Sequence, residues 1–522
     1  MTMKPIILGS RGSDLALWQA RYVKSQLEAL NLTVVIKIIV TQGDRIQHLS
    51  FDKLEGKGFF TKEIEDALLS AEIDLAVHSL KDLPTTSPKG LQIAALSYRE
   101  DPRDVLLIRK AVHQPLATFG IAANAVVGTS SARRKAQLRT FFPDITINDL
   151  RGNVPTRVQK CRDGQYDAIV LAAAGIGRLK LDVSDFELVY FDPEIFVPAP
   201  AQGVLGLQIR ENEPELEAIL QKIHRADVAE TVDIERNILA AFEGGCHMPL
   251  GVYCRKIGAT FDVYTAKSNS ADELPVYLKL TGTNVQSLID QSFALANSQK
   301  PLSVLITKKE EELPILSRLL KYNGITTTFQ SLIQTKLIPV PVWPETDWVF
   351  FGSRNAVKFA LQSRPDLLKN KKIGAVGLGT AKALSALGYR SDFVGEQADI
   401  TLVAGSFSNS IKPNETVLLP LGEQSARTLV KNWENKLKLK VVIVYATKAQ
   451  KIEIMPKTDL ILFTSPSNVI SYLEQGGPVS GVTALAMGKT TLHSIESNGF
   501  TDTLMCHGYS ELALATSIFG LR

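Results

Sequence analysis

The sequence predicts an α/β protein built in two blocks, with a smaller α+β unit between them. Three observations carry that prediction. Short β-branched runs alternate with amphipathic stretches over the first 210 or so residues. The texture then changes to hairpin-like segments that end near residue 298. From residue 303 the βα alternation resumes and lasts to the end of the chain.

In chain order, the first block offers strands at "PIILGS", "VVIKIIV", "DLAVHSL", "AVVGT", "ITINDL" and "AIVLAAA". Between them lie helices at "LALWQARYVKSQLEAL", "FTKEIEDALLSAE" and "SARRKAQLRTFF". Strands that are almost continuously apolar and alternate with helices predict a parallel sheet covered on both faces. A helix near 228–242 leads into the middle unit. There "GVYCRKIGATFDVYTAK" and "LPVYLKLTGT" read as a hairpin and a strand, followed by the helix "VQSLIDQSFALA" and the linker "NSQKP". In the second block "DWVFFGSRNAVKFAL" resembles "DLILFTSPSNVISYL". Each is an Asp, an apolar strand, a serine turn and a helix, which suggests two similar α/β lobes.

The totals narrow the function classes. A chain of 522 residues exceeds what one core supports. Its 45% hydrophobic and 21% charged residues are ordinary for a soluble protein. A net charge of +4 without a Lys/Arg-rich run gives no nucleic-acid footprint. Arg11 and Asp14 interrupt the first apolar run, so no signal peptide is expected, and no stretch has the length of a membrane span. Cys161, Cys246, Cys254 and Cys506 are too few for a disulfide framework and lack zinc-ligand spacing, so no metal is expected. A cytoplasmic protein with reduced thiols is the expectation, and it binds neither nucleic acid nor membrane.

One thiol sits oddly. Cys246, in "FEGGCHMPLGVY", follows two glycines and precedes Pro249 by three residues. That context is a loop able to approach a ligand, unlike the apolar setting of a core cysteine.

Basic residues gather where strands end. Arg11 follows "IILGS", Lys81 and Asp82 follow "LAVHS", and Arg133 and Arg134 follow "VVGTSSA". Arg151 follows "ITINDL", with Arg157 close behind, and Arg178 follows "IVLAAAGIG". In open α/β sheets ligands bind at the carboxyl ends of strands. Any one of these arginines reads equally well as a residue that merely solvates a helix, but the set recurs at one kind of position. Separated planar forks match separated carboxylates, and no phosphate-loop motif is present. Asp82 reads either as a helix cap or partner of Lys81, or as a group that stabilises a developing cation and moves protons. "GKGFFTKE" reads either as an ordinary turn or as a lid presenting Lys57 and Phe60.

Together "GSRGSDLALWQA", "GKGFFTKE", "AVHSLKDLP", "EDPRDVLL", "VGTSSARRKAQL", "LRGNVPTR", "DAIVLAAAGIGRL", "PAPAQGVLG" and "EGGCHMPLG" resemble the porphobilinogen deaminases, also called hydroxymethylbilane synthases. The resemblance implies a dipyrromethane cofactor held on Cys246 by a thioether. It implies addition of four porphobilinogens, each losing ammonia, and release of the linear tetrapyrrole hydroxymethylbilane by water. It makes Asp82 the catalytic residue, beside an azafulvene-type cation. It places Arg11, Ser13, Lys57, Phe60, Ser79, Lys81, Thr129, Ser130, Ser131, Arg133, Arg134, Arg151, Arg157 and Arg178 around substrate and cofactor. The family fold implies two periplasmic-binding-protein-like lobes, one from 1–99 with 200–220 and one from 100–199, plus a small α+β domain at 221–298. Ala201 stands where the family usually has glycine, and His247 where glutamine is common.

Residues 303–522 resemble the uroporphyrinogen-III synthases through "DWVFFGSRNAV", "IGAVGLGTAKAL", "VVIVYAT", "DLILFTSPSNV" and "AMGKTTLHSIESNGF". That resemblance implies a two-lobed α/β module, 303–338 with 446–522 and then 342–442, which closes hydroxymethylbilane with inversion of the D ring. It makes Tyr445 catalytic and Ser353, Thr380, Ser465, Thr490 and Thr491 substrate-binding. From the residues alone, hydroxyls at strand-to-helix turns, Thr464 among them, are as well explained by helix capping. Gly352 stands where threonine is usual. The partners expected are porphobilinogen and hydroxymethylbilane, acting on a monomer. Rival readings are a two-lobed anion receptor, an acyl-transfer enzyme using Cys246 and, for the C-terminal half, a degenerate non-catalytic domain.

Overall fold

The computed structural model describes residues 4–41, 61–243, 248–397, 399–423, 425 and 427–522. The chain forms two compact units: Met1–Leu302 with Leu313–Thr327 and Cys506–Arg522, and Ser303–Glu312 with Thr328–Met505.

In the first unit the chain supplies β1 (Ile6–Ser10), β2 (Val34–Ile38), β3 (Leu75–Ser79) and β4 (Leu91–Leu96), then leaves for a second sheet. There it forms β5 (Asp104–Arg109), β6 (Val126–Gly128), β7 (Thr146–Asn148), β8 (Ala168–Ala172) and β9 (Phe186–Tyr190). It returns as β10 (Leu205–Arg210). The sheet orders are β2-β1-β3-β10-β4 and β7-β6-β8-β5-β9. Neither sheet is all-parallel, which corrects the sequence expectation. β10 runs antiparallel to β3 and β4, and β5 antiparallel to β8 and β9. The reason is the crossing. β10 begins with Leu205 opposite Ser79, the last residue of β3, and β5 begins with Asp104 opposite Ala172, the last residue of β8. A strand entering at that end must run backwards. Both crossings therefore pass the carboxyl ends of parallel strands.

Helices cover both faces of each sheet. α1 (Asp14–Glu28) starts where the Ser13 hydroxyl accepts from the Ala16 N–H, and it buries Ala20, Val23 and Leu27 at helical spacing. These pack with Leu8, Leu75, Val77 and Leu207. α2 (Lys62–Leu69) puts Ile64 and Leu68 on the opposite face. On the second sheet α3 (Ala132–Phe141) sets Leu138 against Leu106 and Val170. α4 (Val154–Arg162) and α5 (Ala173–Leu179) close the other face with Val158, Cys161 and Ile176. α6 (Pro214–Leu220) and α7 (Ala226–Ala241) follow β10. An antiparallel sheet of β11 (Leu250–Ile257), β12 (Thr260–Lys267) and β13 (Val276–Gly282) comes next, then α8 (Val285–Ala296). α9 (Pro314–Tyr322) also belongs to this unit: Arg318 donates to the carbonyls of Arg139 and Thr140 at the end of α3.

The remaining sequence builds two more sheets. One is ordered β15-β14-β22-β23-β24, the other β16-β21-β20-β17-β18-β19. Their strands are β14 (Ser303–Ile306), β15 (Thr326–Phe329), β16 (Ile333–Leu337), β17 (Trp348–Phe351), β18 (Lys372–Ala375), β19 (Phe393–Val394), β20 (Thr416–Gly422), β21 (Lys438–Ala449), β22 (Leu460–Phe463), β23 (Thr483–Ala486) and β24 (Thr503–Met505). The helices are α10 (Arg354–Ser363), α11 (Leu378–Ser385), α12 (Ile400–Ser410), α13 (Thr428–Trp433), α14 (Pro466–Glu474) and α15 (Lys489–Ser497). The two similar stretches adopt the same local structure. Ser353 caps α10 at φ −164°, ψ 160°, and Ser465 caps α14 at φ −163°, ψ 159°. The aspartate before each strand bonds a neighbouring strand's first residue, Asp347 to Thr416 and Asp459 to Ser303. The last helix, α16 (Glu511–Phe519), lies in the first unit, where Glu511 accepts from the N–H groups of Ile315 and Leu316 at the start of α9.

Candidate active site

The carboxyl end of β3 turns at once into a single 3-10 turn, Leu80–Asp82, which presents Lys81 and Asp82. Ser79 anchors it by accepting from Gln19 Nε2 at 2.9 Å. Lys81 Nζ donates to Gln202 Oε1 at 3.2 Å. Gln202 sits on the returning crossing and is fully buried. Its Nε2 donates to the Pro102 carbonyl at 2.8 Å and to Asp104 Oδ1 at 3.0 Å. Asp104, also fully buried, takes Arg133 Nη1 on Oδ2 and Arg134 Nη2 on Oδ1, each at 2.7 Å. Arg133 further donates to the Val197 carbonyl and Arg134 to that of Val170. Ser131 caps α3, and the Ser130 hydroxyl exchanges bonds with the N–H and carbonyl of Leu150. Thr129 Oγ1 accepts from the Ser131 N–H.

Charge is concentrated here. Burial pushes the Lys81 ammonium down to about 8, Asp82 opposing and Arg134 adding. Burial lowers Arg157 to about 10, with Arg134 and Arg151 reinforcing the shift and Asp82 opposing it. Burial alone would raise the Asp104 carboxyl; Arg133 and Arg134 outweigh it and hold it well below the usual carboxylate range. Lys81, Asp82, Arg133, Arg134, Arg151 and Arg157 thus share one electrostatic neighbourhood, drawn from both sheets. Arg151 and Arg157 are half-buried. The Arg157 Nε donates to the Gly152 carbonyl at 2.7 Å, and Lys160 Nζ to that of Arg151. Arg178 is set apart: it donates to the Gly203 carbonyl at 2.6 Å and lies over the Trp18 ring. Arg11 lies near buried His78. Ser13 serves as the cap of α1.

A second buried carboxylate ties the crossings to the third sheet. Glu235 on α7 accepts from Arg99 Nη1 at 2.8 Å and Nη2 at 3.1 Å, from the Ala201 N–H at 2.7 Å and from the Cys254 N–H at 2.8 Å. Cys161, Cys254 and Cys506 are buried, and burial pushes each thiol up to about 12. None is a thiolate at neutral pH. Cys246, Lys57 and Phe60 lie outside the described residues. Among the described residues no cluster of His, Cys, Asp and Glu forms a metal site, and no helix is long and apolar enough to cross a membrane.

In the C-terminal sheets the five predicted hydroxyls sit in two groups. Ser353 and Thr380 start the helices that follow the adjacent parallel strands β17 and β18. Ser465 stands likewise after β22, with Thr490 and Thr491 after the adjacent β23. Thr380 and Thr491 are buried, and Thr490 is exposed. Tyr445, on β21, is buried, stacks on Phe359 at 5.3 Å and lies against Gly422, where an added Cβ would come within 2.5 Å of the ring. Thr464 bonds with Thr307 across β14 and β22.

The family model described as "Porphobilinogen deaminase, dipyromethane cofactor binding domain" matches residues 6–218. The porphobilinogen deaminase of Fusobacterium nucleatum is 49% identical over 259 residues, spanning 49% of this chain and 85% of that protein. That of Oceanobacillus iheyensis is 41% identical over 313 residues, 59% of this chain and 99% of that protein. The chain belongs to the porphobilinogen deaminase family. A second model, "Uroporphyrinogen-III synthase HemD", matches residues 292–515. The uroporphyrinogen-III synthetase of Helicobacter pylori aligns over 42% of this chain and 100% of its own, with 21% identity and a TM-score of 0.34. The chain therefore joins a porphobilinogen deaminase to a uroporphyrinogen-III synthase, two enzymes of tetrapyrrole biosynthesis, and the deaminase carries dipyrromethane as its cofactor.

Within the deaminase, sequence reasoning found the basic residues but missed what holds them. Asp104 lies in "EDPRDVLL", Gln202 in "PAPAQG" and Glu235 on α7. Only Gln202 carried a signal, as a polar residue inside the otherwise apolar run "PAPAQGVLG", which needs a buried partner; Asp104 and Glu235 stand among other charged residues.

Proposed function

We propose that the deaminase site assembles hydroxymethylbilane as follows. The observation that carries this reading is the convergence of Lys81, Asp82, Arg133, Arg134, Arg151 and Arg157 at the carboxyl ends of two sheets. A dipyrrole bearing acetates and propionates fits that donor set, because it presents separated carboxylates to separated cations. Arg151 and Arg157, half-buried, take carboxylates directly. Each charge-assisted bond contributes about 1.5–3 kcal/mol. Asp104 occupies part of the Arg133 and Arg134 forks and keeps both heads in place while carboxylates move past. Asp82, exposed at the turn, faces the reacting ring. There its carboxylate stabilises the cation left when ammonia departs, and accepts and returns protons at the pyrrole nitrogens. When bound to Cys246, the dipyrromethane supplies the primer to which the first substrate is joined. Holding primer and substrate on one scaffold turns an encounter into an intramolecular step.

For the synthase, the paired helix starts after β17/β18 and β22/β23 offer N–H groups and hydroxyls to carboxylates. Closure of the linear chain then depends mainly on holding it folded, with Tyr445 assisting loss of the hydroxyl. Free hydroxymethylbilane closes by itself to the wrong isomer, so a tethered synthase favours prompt capture. A cytoplasmic monomer is the form in which this reading places the enzyme.

Incubation of the purified chain with porphobilinogen alone, then oxidation and separation of uroporphyrin isomers, tests the reading. Mostly isomer III is expected. Isomer I alone would refute the synthase half. Absence of porphyrin from protein whose intact mass includes the primer would refute the deaminase half.

A further inference from the structure

The two groups of side chains that the mechanism uses stand on different sheets. Asp82 and Lys81 follow β3, whereas Arg133 and Arg134 start α3 beside β5 and β8. A buried side chain links them through one intermediary carboxylate. Gln202 takes Lys81 on its oxygen and gives its nitrogen to Asp104, the carboxylate shared by the two arginines.

An amide is suited to that position because one end accepts while the other donates. Its orientation is not free. The Pro102 carbonyl requires the NH2 group on one side, and the Lys81 ammonium requires the oxygen on the other. Turning the amide over would set donor against donor and acceptor against acceptor at a fully buried side chain. The backbone is held as firmly. The Gln202 N–H donates to the Ala199 carbonyl, and its own carbonyl accepts from Arg99 Nε at 3.1 Å. Ala201 at φ 61° and Gly203 at φ 92° bend the chain on either side.

We infer that Gln202 is a positioning residue of the deaminase, coupling the Lys81–Asp82 turn of one sheet to the Arg133–Arg134 pair of the other. This inference rests on the roles proposed above for Asp82 and the arginines. The chemistry requires the proton-handling carboxylate and the carboxylate-holding cations in a fixed relation. A misplacement of about 1 Å costs about 100-fold in rate. Gln202 supplies that relation without touching substrate, and it does so where the chain crosses between the sheets.

The test uses full-length protein. Gln202→Met keeps the length of the side chain and removes its hydrogen bonds. Gln202→Glu keeps the acceptor for Lys81 but sets a second carboxylate against Asp104. Porphobilinogen consumption is measured per primer-bearing molecule, counted by intact mass, so that loss of folded protein does not enter the rate. Both variants are expected to lose about tenfold or more in kcat, with KM within about twofold of wild type. Wild-type kcat in both variants would overturn the inference, as would a raised KM with unchanged kcat, which would make Gln202 a binding group. If Gln202→Met does not fold, Gln202→Glu decides by the same criteria. Wild-type protein that makes no tetrapyrrole refutes the functional reading itself, whereas active wild type with equally active variants refutes only the coupling.

Discussion

Replacing Glu235 by glutamine probes the junction through which the two crossings are fixed to the third sheet. The carboxylate is fully buried and accepts four bonds, two on each oxygen: Arg99 Nη1 and the Cys254 N–H on Oε1, Arg99 Nη2 and the Ala201 N–H on Oε2. Glutamine has the same shape but puts an NH2 group where one oxygen was. In either orientation two N–H donors then face a donor, and the Arg99 charge, 13% exposed, loses its counterion. Breaking a buried pair by removing one partner costs about 3–5 kcal/mol, and charge-assisted bonds are part of that sum, not additional to it. At about tenfold per 1.4 kcal/mol, exchange of the Cys254 and Ala201 amides should accelerate roughly 150-fold or more. Hydrogen exchange followed by mass spectrometry, in peptides covering β11 and residues 199–204, measures this directly. Peptides from β17 and β18 serve as an internal control. Acceleration below about fivefold, equivalent to about 1 kcal/mol, would mean that Glu235 is not the pin described here.

Further outcomes follow from the same geometry. Arg151→Lys should slow chain elongation about tenfold or more, because the charge survives and the planar fork does not; the distribution of covalent intermediates by intact mass checks it. Lys81 is protonated below about 8, so kcat/KM for porphobilinogen should fall as pH rises through about 8, and Lys81→Arg should move that fall upward. Tyr445→Phe together with Thr491→Ala should leave hydroxymethylbilane formation intact and shift the oxidised product from isomer III to isomer I, as separation of the isomers would show.

What the sequence revealed and what it hid have distinct physical causes. β1, β3, β6 and β8 were legible because buried parallel strands read as apolar runs. So was the cap at Ser353, where the side chain acts within three residues of its own position, whereas Ser13 and Ser131, read as binding residues, cap α1 and α3 by the same local geometry. β5 and β10 are not among the strands read from the sequence, and their reversal was not legible either. Direction within a sheet is a property of the crossing, and "DVLLIR" reads alike either way. Among site residues, the arginines stood out because they recur together at the carboxyl ends of strands, where open α/β sheets bind ligands. Gln202 did not, since its partners Lys81, Pro102 and Asp104 lie about a hundred or more positions away. Nor does the sequence distinguish an arginine aimed at a ligand from one already bonded to Asp104. Arg133 and Arg134 were assigned to carboxylates, and the carboxylate found against both is the protein's own.

The crossings also explain how Ala201 can stand where the family usually has glycine. Ala201 is fully buried at φ 61°, a region that costs an L-residue about 1–2 kcal/mol. Changing it to glycine removes that strain. The change also loses a buried methyl, about 0.8 kcal/mol, and admits about 0.5–1 kcal/mol of extra backbone freedom in the unfolded chain. The terms nearly cancel, so Ala201→Gly should alter stability by less than about 1 kcal/mol. Two residues on, the balance differs. Gly203 has φ 92°, and an added Cβ would lie 2.4 Å from the Glu100 carbonyl oxygen and 3.1 Å from its carbon. Both atoms are backbone of the other crossing, already bonded to this one through the Glu100 N–H and the Gly203 carbonyl at 3.0 Å. Neither can rotate away. Gly203→Ala therefore meets the same strain of about 1–2 kcal/mol and about 1–3 kcal/mol of overpacking besides. Hydrogen exchange in residues 97–104 of both variants separates the cases. Equal protection in the two would show that the crossings are not in the close contact on which the placement of Gln202 and Asp104 depends.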